Sequence, residues 1–493
     1  MKGDKDTIMV KQKSLKLNFI MNSILTMSSF VFPIITFPYV SRTLLAEGVG
    51  RVSFATSVIS YFLMIAQLGI PTYGVRVCAQ VRDNKELLSK TVHEIFFINI
   101  FMTIISYCAL IVMVIAVPRF SSDKMLYFIV SFNILFNTIG MEWLFKALEQ
   151  YSYITIRSII FKFIALLGML LLIHQPDDYY VYAGLTIFAS SGSSILNFIR
   201  VGKYISFHKF ENYDLKKHMK GILIFFSMSC ATTIYTNLDS VMLGFMMTDT
   251  DVGYYVTSIK IKNILASVVS SLGVVLLPRM SYYIQNNMKT EFEAIIKKAI
   301  NFVFVVSCPL VVYFTLFSKE CVLFLAGNGF ENSILPMQII MPTLLFIGLT
   351  NIMGIQVLVP LGQEKKVLYS EIVGAFVDFV FNLIFIPIYG CAGAAMGTLL
   401  AEVSVFVFQF FVLKSSIKDS FKSVSYVKII TALIISVIVS IWAKLLPFGD
   451  FLILVISALC YFVAYGVVLL LLREKFVVST IKPYIERLRK KKE

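Results

Sequence analysis

Apolar runs of roughly 18 or more residues recur along the whole chain, and each run is long enough to cross a lipid bilayer as a helix. Hydrophobic residues make up 58% of the sequence and charged residues only 15%. The loops between the runs are short, which leaves no extramembrane domain. We predict an all-α polytopic membrane protein with fourteen transmembrane helices, arranged as two pseudo-symmetric six-helix lobes followed by two C-terminal helices.

The boundaries of the spans and domains follow from these runs. The predicted spans cover residues 17–41, 50–70, 91–117, 124–147, 152–174, 179–200, 219–247, 252–277, 295–317, 333–360, 366–388, 391–413, 425–446 and 450–472. The predicted domains are an N-terminal six-helix lobe at 1–200, a cytoplasmic linker at 201–218, a C-terminal six-helix lobe at 219–413, and helices 13 and 14 with a basic cytoplasmic tail at 414–493. Aromatic residues and lysines alternate in the linker, which predicts an amphipathic interfacial helix there.

The distribution of basic residues predicts the orientation of these helices. With the N-terminus inside, 35 of the 44 lysines and arginines lie in cytoplasmic segments and only 6 in outer segments, as the positive-inside rule requires. The segment before the first span is polar and basic, so we expect no cleavable signal. We expect a protein of the cytoplasmic (inner) membrane with both termini cytoplasmic. The net charge of +15 then reflects topology and attraction to membrane lipids, and not binding of nucleic acid.

Two charged residues near the midpoint of the chain lie where a bilayer penalises charge. Asp239 precedes the turn at Thr250, and Lys260 follows it at nearly the same distance along the sequence. At about 1.5 Å per residue both lie ~15 Å from the turn, near mid-membrane, where an ionised side chain costs about 2.5–3.5 kcal/mol. The two are either a structural ion pair or a substrate site, in which Asp239 holds Lys260 until an anionic substrate displaces it.

The turn around Thr250 repeats an earlier part of the sequence. Val252-Gly253 corresponds to Val49-Gly50, and Leu272-Gly273 corresponds to Leu68-Gly69, at almost identical offsets along the chain. Internal repeats of this length indicate two halves with the same plan, which is typical of membrane transporters.

Two of the predicted helices carry polar rows. The row on the first helix consists of Asn18, Asn22, Thr26 and Ser29, and the row on the eighth consists of Lys260, Asn263, Ser267 and Ser271. Spacings of three and four positions place each row on one helix face. Such a row either makes interhelical hydrogen bonds, worth about 0.6 kcal/mol each, or forms the wall of a hydrated cavity. The two asparagines in the first row favour the cavity.

Four further charges lie at depth or at a helix end. Lys162 lies near the middle of the fifth span with no acid in its own helix, so it needs a partner or a cavity. Asp378 and Glu402 lie near mid-depth and either titrate with a coupling proton or cation, or hold a neighbouring cation. Arg42 at the end of the first span either snorkels to lipid headgroups or grips a phosphate with its bidentate fork.

The sequence lacks signals for catalysis and for cofactors. It contains no GxxxxGK[ST] motif and no CxxC pair, and none of its four histidines forms an HExxH or other ligand pair. The longest outer loop, 318–332, is too short for an extracytoplasmic active site. We therefore expect no cofactor, no metal and no enzymatic activity.

Short motifs spread over the whole chain carry a family resemblance. They are Pro38-Tyr-Val-Ser-Arg42-Thr-Leu with Gly48-Val-Gly50, Leu68-Gly69 leading to Gly74-Val-Arg76, Asp239-Ser-Val-Met-Leu-Gly244 with Val252-Gly-Tyr-Tyr255, and Gly390-Cys-Ala-Gly-Ala-Ala395 with Glu402. Together with the 6 + 6 + 2 arrangement, they resemble the MOP superfamily (multidrug/oligosaccharidyl-lipid/polysaccharide), and within it the polysaccharide transporter branch of Wzx-type flippases.

The resemblance implies two lobes that rock around a central cavity and move undecaprenyl-diphosphate-linked oligosaccharide from the inner to the outer leaflet. O-antigen and capsule precursors are among the cargoes it implies, with a polysaccharide polymerase and glycosyltransferases as protein partners. Arg42 and Asp239 are the site residues carried by the motifs.

Two alternatives remain. A multidrug or other lipid-precursor exporter of the same superfamily would, if it took cationic drugs, need acids near mid-depth in the N-terminal lobe. A membrane glycosyltransferase or polymerase would need a large outer loop with catalytic residues.

Overall fold

The computed structural model describes residues 15–479, and every regular element in this range is a helix. The α-helices are α1 Leu15–Gln67, α2 Ile70–Val81, α3 Lys85–Ala116, α4 Pro118–Ser121, α5 Lys124–Gly140, α6 Glu142–Ala147, α7 Tyr151–Leu172, α8 Tyr179–Ile187, α9 Ser194–Val201, α10 Lys216–Met246, α11 Asp249–Gln285, α12 Lys289–Leu316, α13 Ser318–Ala326, α14 Ile334–Ile340, α15 Thr343–Thr350, α16 Glu364–Tyr389, α17 Cys391–Lys422, α18 Tyr426–Ile441 and α19 Asp450–Leu471. Short 3-10 turns lie at Pro176–Asp178, Glu331–Ser333 and Trp442–Leu445, and π-helical turns at Phe188–Gly192 and Asn351–Leu358.

Nine helices in the described part of the chain are long and apolar enough to cross a membrane. A tenth span results if Glu331–Ile340 and Thr343–Leu358, which meet at 41°, are counted together. The predicted all-α polytopic membrane fold is therefore confirmed. Each of the fourteen predicted segments is helical, but some are short, broken or continuous with a neighbour, so the count of fourteen spans stays a prediction.

The first long helix contains two predicted spans. α1 covers 17–41 and most of 50–70, and it consists of two helical stretches that meet in a kink at Leu45, where the backbone is not helical (φ 58°, ψ −179°). A leucine rarely adopts a positive φ because its Cβ crowds the following carbonyl. The kink lies between the two predicted spans, so the chain changes direction there with very little loop.

The chain divides into two compact units. Unit 1 runs to Gly253 and unit 2 begins at Tyr254, so α10 packs with the first unit. The core of unit 1 includes Ile95 and Leu144, and the core of unit 2 includes Ile300 and other buried aliphatic side chains. The predicted lobe boundary at 201–218 stays a prediction, as does the role of the basic tail, whose residues 480–493 lie outside the described range.

The linker is not the interfacial helix that its composition predicts. Residues 202–215 form turns and bends with no regular helix. The amide of Ser206 donates to Ser89 Oγ at 2.9 Å, and the amide of Asp214 donates to Glu94 Oε1 at 2.9 Å. Because side chains of α3 take these backbone donors, the segment is held against α3 without the hydrogen bonds of a helix.

Two helical turns of unit 1 meet backbone to backbone, and we call residues 46–50 and 249–253 the paired turns. A Cβ at Gly50 would overlap the carbonyl oxygen of Asp249, and a Cβ at Gly253 would overlap the carbonyl oxygen of Ala46. The two glycines that the internal repeat aligns are thus the contact points between the paired turns. Only glycine allows so close an approach of the two backbones.

Replacing either glycine should separate the paired turns. We expect Gly50→Ala and Gly253→Ala each to destabilise the protein by about 1–3 kcal/mol, because the added methyl overlaps a carbonyl oxygen that cannot move alone. The measurement is the melting temperature of the purified protein. Gly466→Ala is the matched control, since nothing lies within 4 Å of a Cβ at that position. Equal melting temperatures for all three variants would contradict the close contact.

Candidate functional site

Helix α1 exposes two opposite faces over its first half. The apolar face consists of Ile20, Ile24, Met27 and Val31, and the polar face consists of Asn22, Thr26 and Ser29. At about 100° per residue the two faces lie roughly 180° apart around the helix. A helix with one lipid-compatible face and one polar, uncovered face has the properties of a wall between a bilayer and a hydrated space.

Lys162 on α7 is directed at this helix. Its Nζ donates to Ser28 Oγ at 2.9 Å and to Ser29 Oγ at 3.0 Å. Within residues 15–479, no carboxylate lies within ion-pair distance of Lys162, which is half-buried. Hydroxyl groups solvate the ammonium group but do not neutralise it. The positive charge is therefore available to an anion beside the polar face of α1.

The other predicted residues of α1 differ from one another in their surroundings. Asn18 is buried, and its Nδ2 donates to Glu149 Oε2 at 3.4 Å, while Glu149 also accepts from Arg82 at 2.7 Å. Asn22 is exposed on the polar face. Arg42 is exposed, and its Nη1 donates to the carbonyl of Pro38 in its own helix at 2.5 Å. Asn18 thus joins a polar network at the helix start, whereas Asn22 and Arg42 remain accessible.

A cavity of about 170 Å³ opens in unit 1 beside the paired turns. Its walls are Arg51, Phe54, Arg119, Ser122, Asp123, Leu126, Tyr127, Tyr179 and Asp249. Arg119 donates to Asp249 Oδ1, and Arg51 Nε lies 3.8 Å from Asp249 Oδ2. In the sequence, Arg51 and Arg119 are two of the six basic residues of the predicted outer segments, and Arg51 flanks the first outer turn. The signal that could have pointed to this site is that Asp249 belongs to the repeated turn.

A short 3-10 turn presents Tyr179 to the cavity. Asp178 accepts from the backbone amides of His174 at 2.7 Å and Gln175 at 2.9 Å, and these two donors lower the pKa of the Asp178 carboxyl by stabilising its charged form. The Tyr179 hydroxyl in turn accepts from Arg51 Nη1 at 3.2 Å. The turn therefore helps to fix one of the two arginines at the cavity.

Glu94 on α3 is a buried hub that the sequence analysis did not single out. Its carboxylate, fully buried, accepts from Lys217 Nζ at 2.7 Å, from His218 Nε2 at 2.9 Å and from the amide of Asp214 at 2.9 Å. Nδ1 of His218 lies 2.8 Å from the hydroxyl of Tyr73. Glu94 thereby joins α3 to the linker and to the start of α10.

A second ion cluster lies between α6 and α7 and includes one buried arginine. Arg157, almost fully buried, donates to Glu142 Oε2 at 3.0 Å and to Ser193 Oγ at 2.7 Å. Lys146 also contacts Glu142, at 2.9 Å. Glu94 and Glu142, two acids in the helices of unit 1, are therefore both engaged by basic side chains.

The remaining predicted residues lie in both units. Asp239 is buried near the end of α10 in unit 1. In unit 2, Lys260 on α11 is half-buried and Asn263 is exposed. The pairing of Asp239 with Lys260 stays a prediction, and so does the role of Asn263 in binding substrate.

The predicted coupling acids of unit 2 are both buried. Asp378 on α16 is 2% exposed and Glu402 on α17 is 6% exposed. A Cβ at Gly397 of α17 would overlap Asn382 Oδ1 and lie 3.2 Å from Asp378 Oδ1. Two side-chain oxygens from α16 therefore converge on the space that this glycine leaves open. Among the described residues, no group of three or more His, Cys, Asp or Glu side chains is arranged to hold a metal ion.

Comparison with known sequences gives a family match over the first half of the chain and beyond. The profile of a family described as "Polysaccharide biosynthesis protein" matches residues 15–284, which is more than half of the sequence. The "Putative O-antigen transporter" of Escherichia coli (strain K12) is 23% identical over 398 residues, which are 80% of this chain and 95% of that protein.

Solved structures share the fold. "Lipid II flippase MurJ, inward closed conformation" has a TM-score of 0.73 and 17% identity, covering 94% of this chain and 100% of that chain. A multidrug resistance MATE family transporter of the MOP superfamily, in an inward-facing conformation, has a TM-score of 0.59 and 14% identity, covering 81% and 99%. At these identities the likeness establishes the fold alone. The family match confirms the predicted resemblance at the level of the polysaccharide biosynthesis protein family.

Removing the Glu94 carboxylate should release the linker. We expect Glu94→Ala to cost about 1–3 kcal/mol, because buried donors at His218 and at the Asp214 amide lose their acceptor. The measurement is the rate of tryptic cleavage after Lys203 and Lys209, which should rise several-fold. Glu86→Ala, an exposed acid in the first turn of the same helix, is the control and should leave the rate unchanged. Cleavage at the wild-type rate in Glu94→Ala would show that Glu94 does not hold the linker.

Proposed function

Since the chain belongs to the polysaccharide biosynthesis protein family, we propose that it is a flippase for lipid-linked oligosaccharide. It moves an undecaprenyl-diphosphate-linked repeat unit of a surface polysaccharide from the inner to the outer leaflet of the cytoplasmic membrane by alternating access. Its termini are cytoplasmic in this proposal. The named relatives are a transporter, a flippase and a multidrug transporter, and these names support transport in preference to enzymatic catalysis.

The observation that carries the proposal is the pair formed by Lys162 and the polar face of α1. The ammonium group of Lys162 contacts Ser28 and Ser29 and has no carboxylate partner in the described residues. A diphosphate brings about two negative charges into a medium of low dielectric, where an unpaired charge is expensive. A cation solvated only by hydroxyls can offset that charge, and the polar row beside it offers hydrogen bonds to sugar hydroxyls.

The charges of unit 1 favour an anionic cargo over a cationic drug. A cationic drug needs a carboxylate that no basic side chain neutralises. The two acids in the predicted spans of the N-terminal lobe are both engaged: Lys217 and His218 contact Glu94, and Arg157 and Lys146 contact Glu142. The lysine beside α1, by contrast, offers a positive charge that the described carboxylates leave unneutralised. We therefore place the exporter of cationic drugs second. Enzymatic polymerisation or glycosyl transfer is less well supported, because no outer loop reaches the size of a catalytic domain.

We further propose that Asp378 and Glu402 couple transport to an ion gradient. The Asp378 and Asn382 oxygens that converge beside Gly397 offer the oxygen ligands that hard cations prefer, and a carboxylate at the same place can bind a proton instead.

A polysaccharide polymerase and glycosyltransferases are the protein partners in this proposal, since they make the repeat unit and join it into polymer. Lys260 and Asn263 of unit 2 and Asp239 of unit 1 complete the proposed substrate-binding set.

Neutralising Lys162 tests the cargo. We expect Lys162→Ala to lower surface polysaccharide at least tenfold, roughly the effect of a lost interaction of 1.4 kcal/mol or more, while Lys162→Arg retains part of it. The measurement is polysaccharide at the cell surface and lipid-linked oligosaccharide inside cells, in a strain that lacks the chromosomal copy. Lys124→Ala, an exposed lysine at the start of α5, is the control. Full export by Lys162→Ala at normal protein abundance would remove Lys162 from the site.

Neutralising Asp378 tests ion coupling. In proteoliposomes, we expect wild-type transport of a lipid-linked oligosaccharide to depend on a sodium or a proton gradient, applied separately. Asp378→Asn should transport at a low rate that neither gradient changes, because the amide can neither bind a proton nor neutralise a cation. Asp450→Asn at the start of α19 is the charge-matched control and should respond as the wild type does. A gradient response retained by Asp378→Asn would exclude Asp378 as the coupling residue.

A further inference from the structure

Two arginines of unit 1 converge on a single carboxylate beside the paired turns. Arg119 donates to Oδ1 of Asp249, and Nε of Arg51 lies 3.8 Å from Oδ2. The carboxylate belongs to a residue of one paired turn, and the backbone carbonyl of the same residue contacts Gly50 of the other. Asp249 is thus the point where an ion cluster and the contact between the turns coincide.

Each arginine is also held by groups other than Asp249. The guanidinium of Arg51 lies 5.2 Å from the centre of the Tyr179 ring and donates to Glu47 at 2.6 Å. The guanidinium of Arg119 lies 5.2 Å from the centre of the Phe54 ring. Stacking on an aromatic face positions a guanidinium without consuming its N–H donors. Both arginines would therefore keep their places if the carboxylate left.

The cluster has unused donor capacity and adjacent space. Within the described residues, Nε of Arg119 is buried without a hydrogen-bond partner, and the 3.8 Å separation of Arg51 Nε from Asp249 is too long for a hydrogen bond. The cavity of about 170 Å³ borders both guanidinium groups. The side chain of Asp249 is 17% exposed, so a group that enters the cavity can reach the carboxylate that it would replace.

We propose that Arg51 and Arg119 form an anion-exchange site, in which the diphosphate group of an isoprenoid-linked cargo displaces the carboxylate of Asp249. The inference rests on the proposed function, because that function supplies the diphosphate. A diphosphate carries more negative charge and more acceptor oxygens than a carboxylate, so it can bind the guanidinium groups of both arginines at once. Once displaced, Asp249 no longer ties its turn to α1 and α4, and the contact at Gly50 loosens. Arrival of the cargo is thereby linked to separation of the paired turns.

Other charges near the site set the strength of the exchange. Glu47, which is 59% exposed, accepts from Arg51, and Asp123 lines the cavity and accepts from the Tyr180 hydroxyl at 2.8 Å. Both carboxylates oppose an incoming anion. The site therefore binds an anion weakly while Asp249 is in place, which suits a group that must be released to the outer leaflet.

The test measures binding of inorganic pyrophosphate and of farnesyl diphosphate to the purified full-length protein by calorimetry at fixed low salt. The Asp249 carboxylate competes with pyrophosphate for the two arginines. Asp249→Asn removes this competitor and should tighten pyrophosphate binding about tenfold, because the arginines no longer have to be released from the carboxylate first. Arg119→Ala should abolish binding, and Arg119→Lys should weaken it several-fold because the fork is lost. Asp450→Asn carries the same charge change far along the sequence in unit 2 and should bind as the wild type does.

Asp249→Asn that folds but binds pyrophosphate no more tightly than the wild type would overturn the exchange. If Asp249→Asn does not fold, equal binding by Arg119→Lys and the wild type would overturn it instead. Farnesyl diphosphate that binds at least as tightly as pyrophosphate supports a lipid-linked source, and its exclusion would overturn that source. The outcome is separate from the Lys162 experiment: loss of export in Lys162→Ala with no tightening in Asp249→Asn would leave the flippase proposal standing and remove the exchange site.

Discussion

A charge inside an apolar helical bundle requires a partner, and this requirement organises unit 1. Glu94 takes three donors from the linker and α10, Arg157 is matched by Glu142, and Asp249 is matched by Arg119. These pairs join different helices, so they fix how the helices pack. Against this background Lys162 stands apart, because the described residues offer it hydroxyl groups and no carboxylate. In our proposal, this charge, which is solvated but not neutralised, lies where the anionic cargo binds.

The helices could be predicted from the sequence because their signal is local. A run of apolar residues of bilayer length has few alternatives to a helix, and each predicted segment is helical. The prediction of an interfacial helix in the linker was wrong for the opposite reason. The amphipathic composition of the linker fits such a helix, but Ser89, which captures the amide of Ser206, lies 117 residues away in sequence. The composition of the linker cannot show that a distant side chain will accept the backbone hydrogen bonds that a helix would otherwise use.

The candidate site likewise has features that one helix determines and features that depend on contacts between distant parts of the sequence. The depth of Lys162 in its span and the spacing of Asn22 and Ser29 are properties of single helices, and they were available from the sequence. The contact between Arg119 and Asp249 joins residues 130 positions apart, and nothing in either segment specifies the other. Asn18 shows the limit of helix spacing as evidence. Asn18 shares a helix face with Asn22, yet Asn18 is buried and contacts Glu149. Helix spacing identifies the residues on one face, but it does not show which part of that face a neighbouring segment covers.

The packing of α10 with unit 1 has a consequence for biosynthesis. The linker is attached to α3 through Glu94, and α10 belongs to the same compact unit, which ends at Gly253. Domains fold as units and the N-terminal one folds first during synthesis. The residues that pair with Glu94, Arg157 and Asp249 all belong to unit 1. They have therefore been synthesised when about half of the chain is still to be translated. The ion pairs of unit 1 can therefore form without any residue of unit 2.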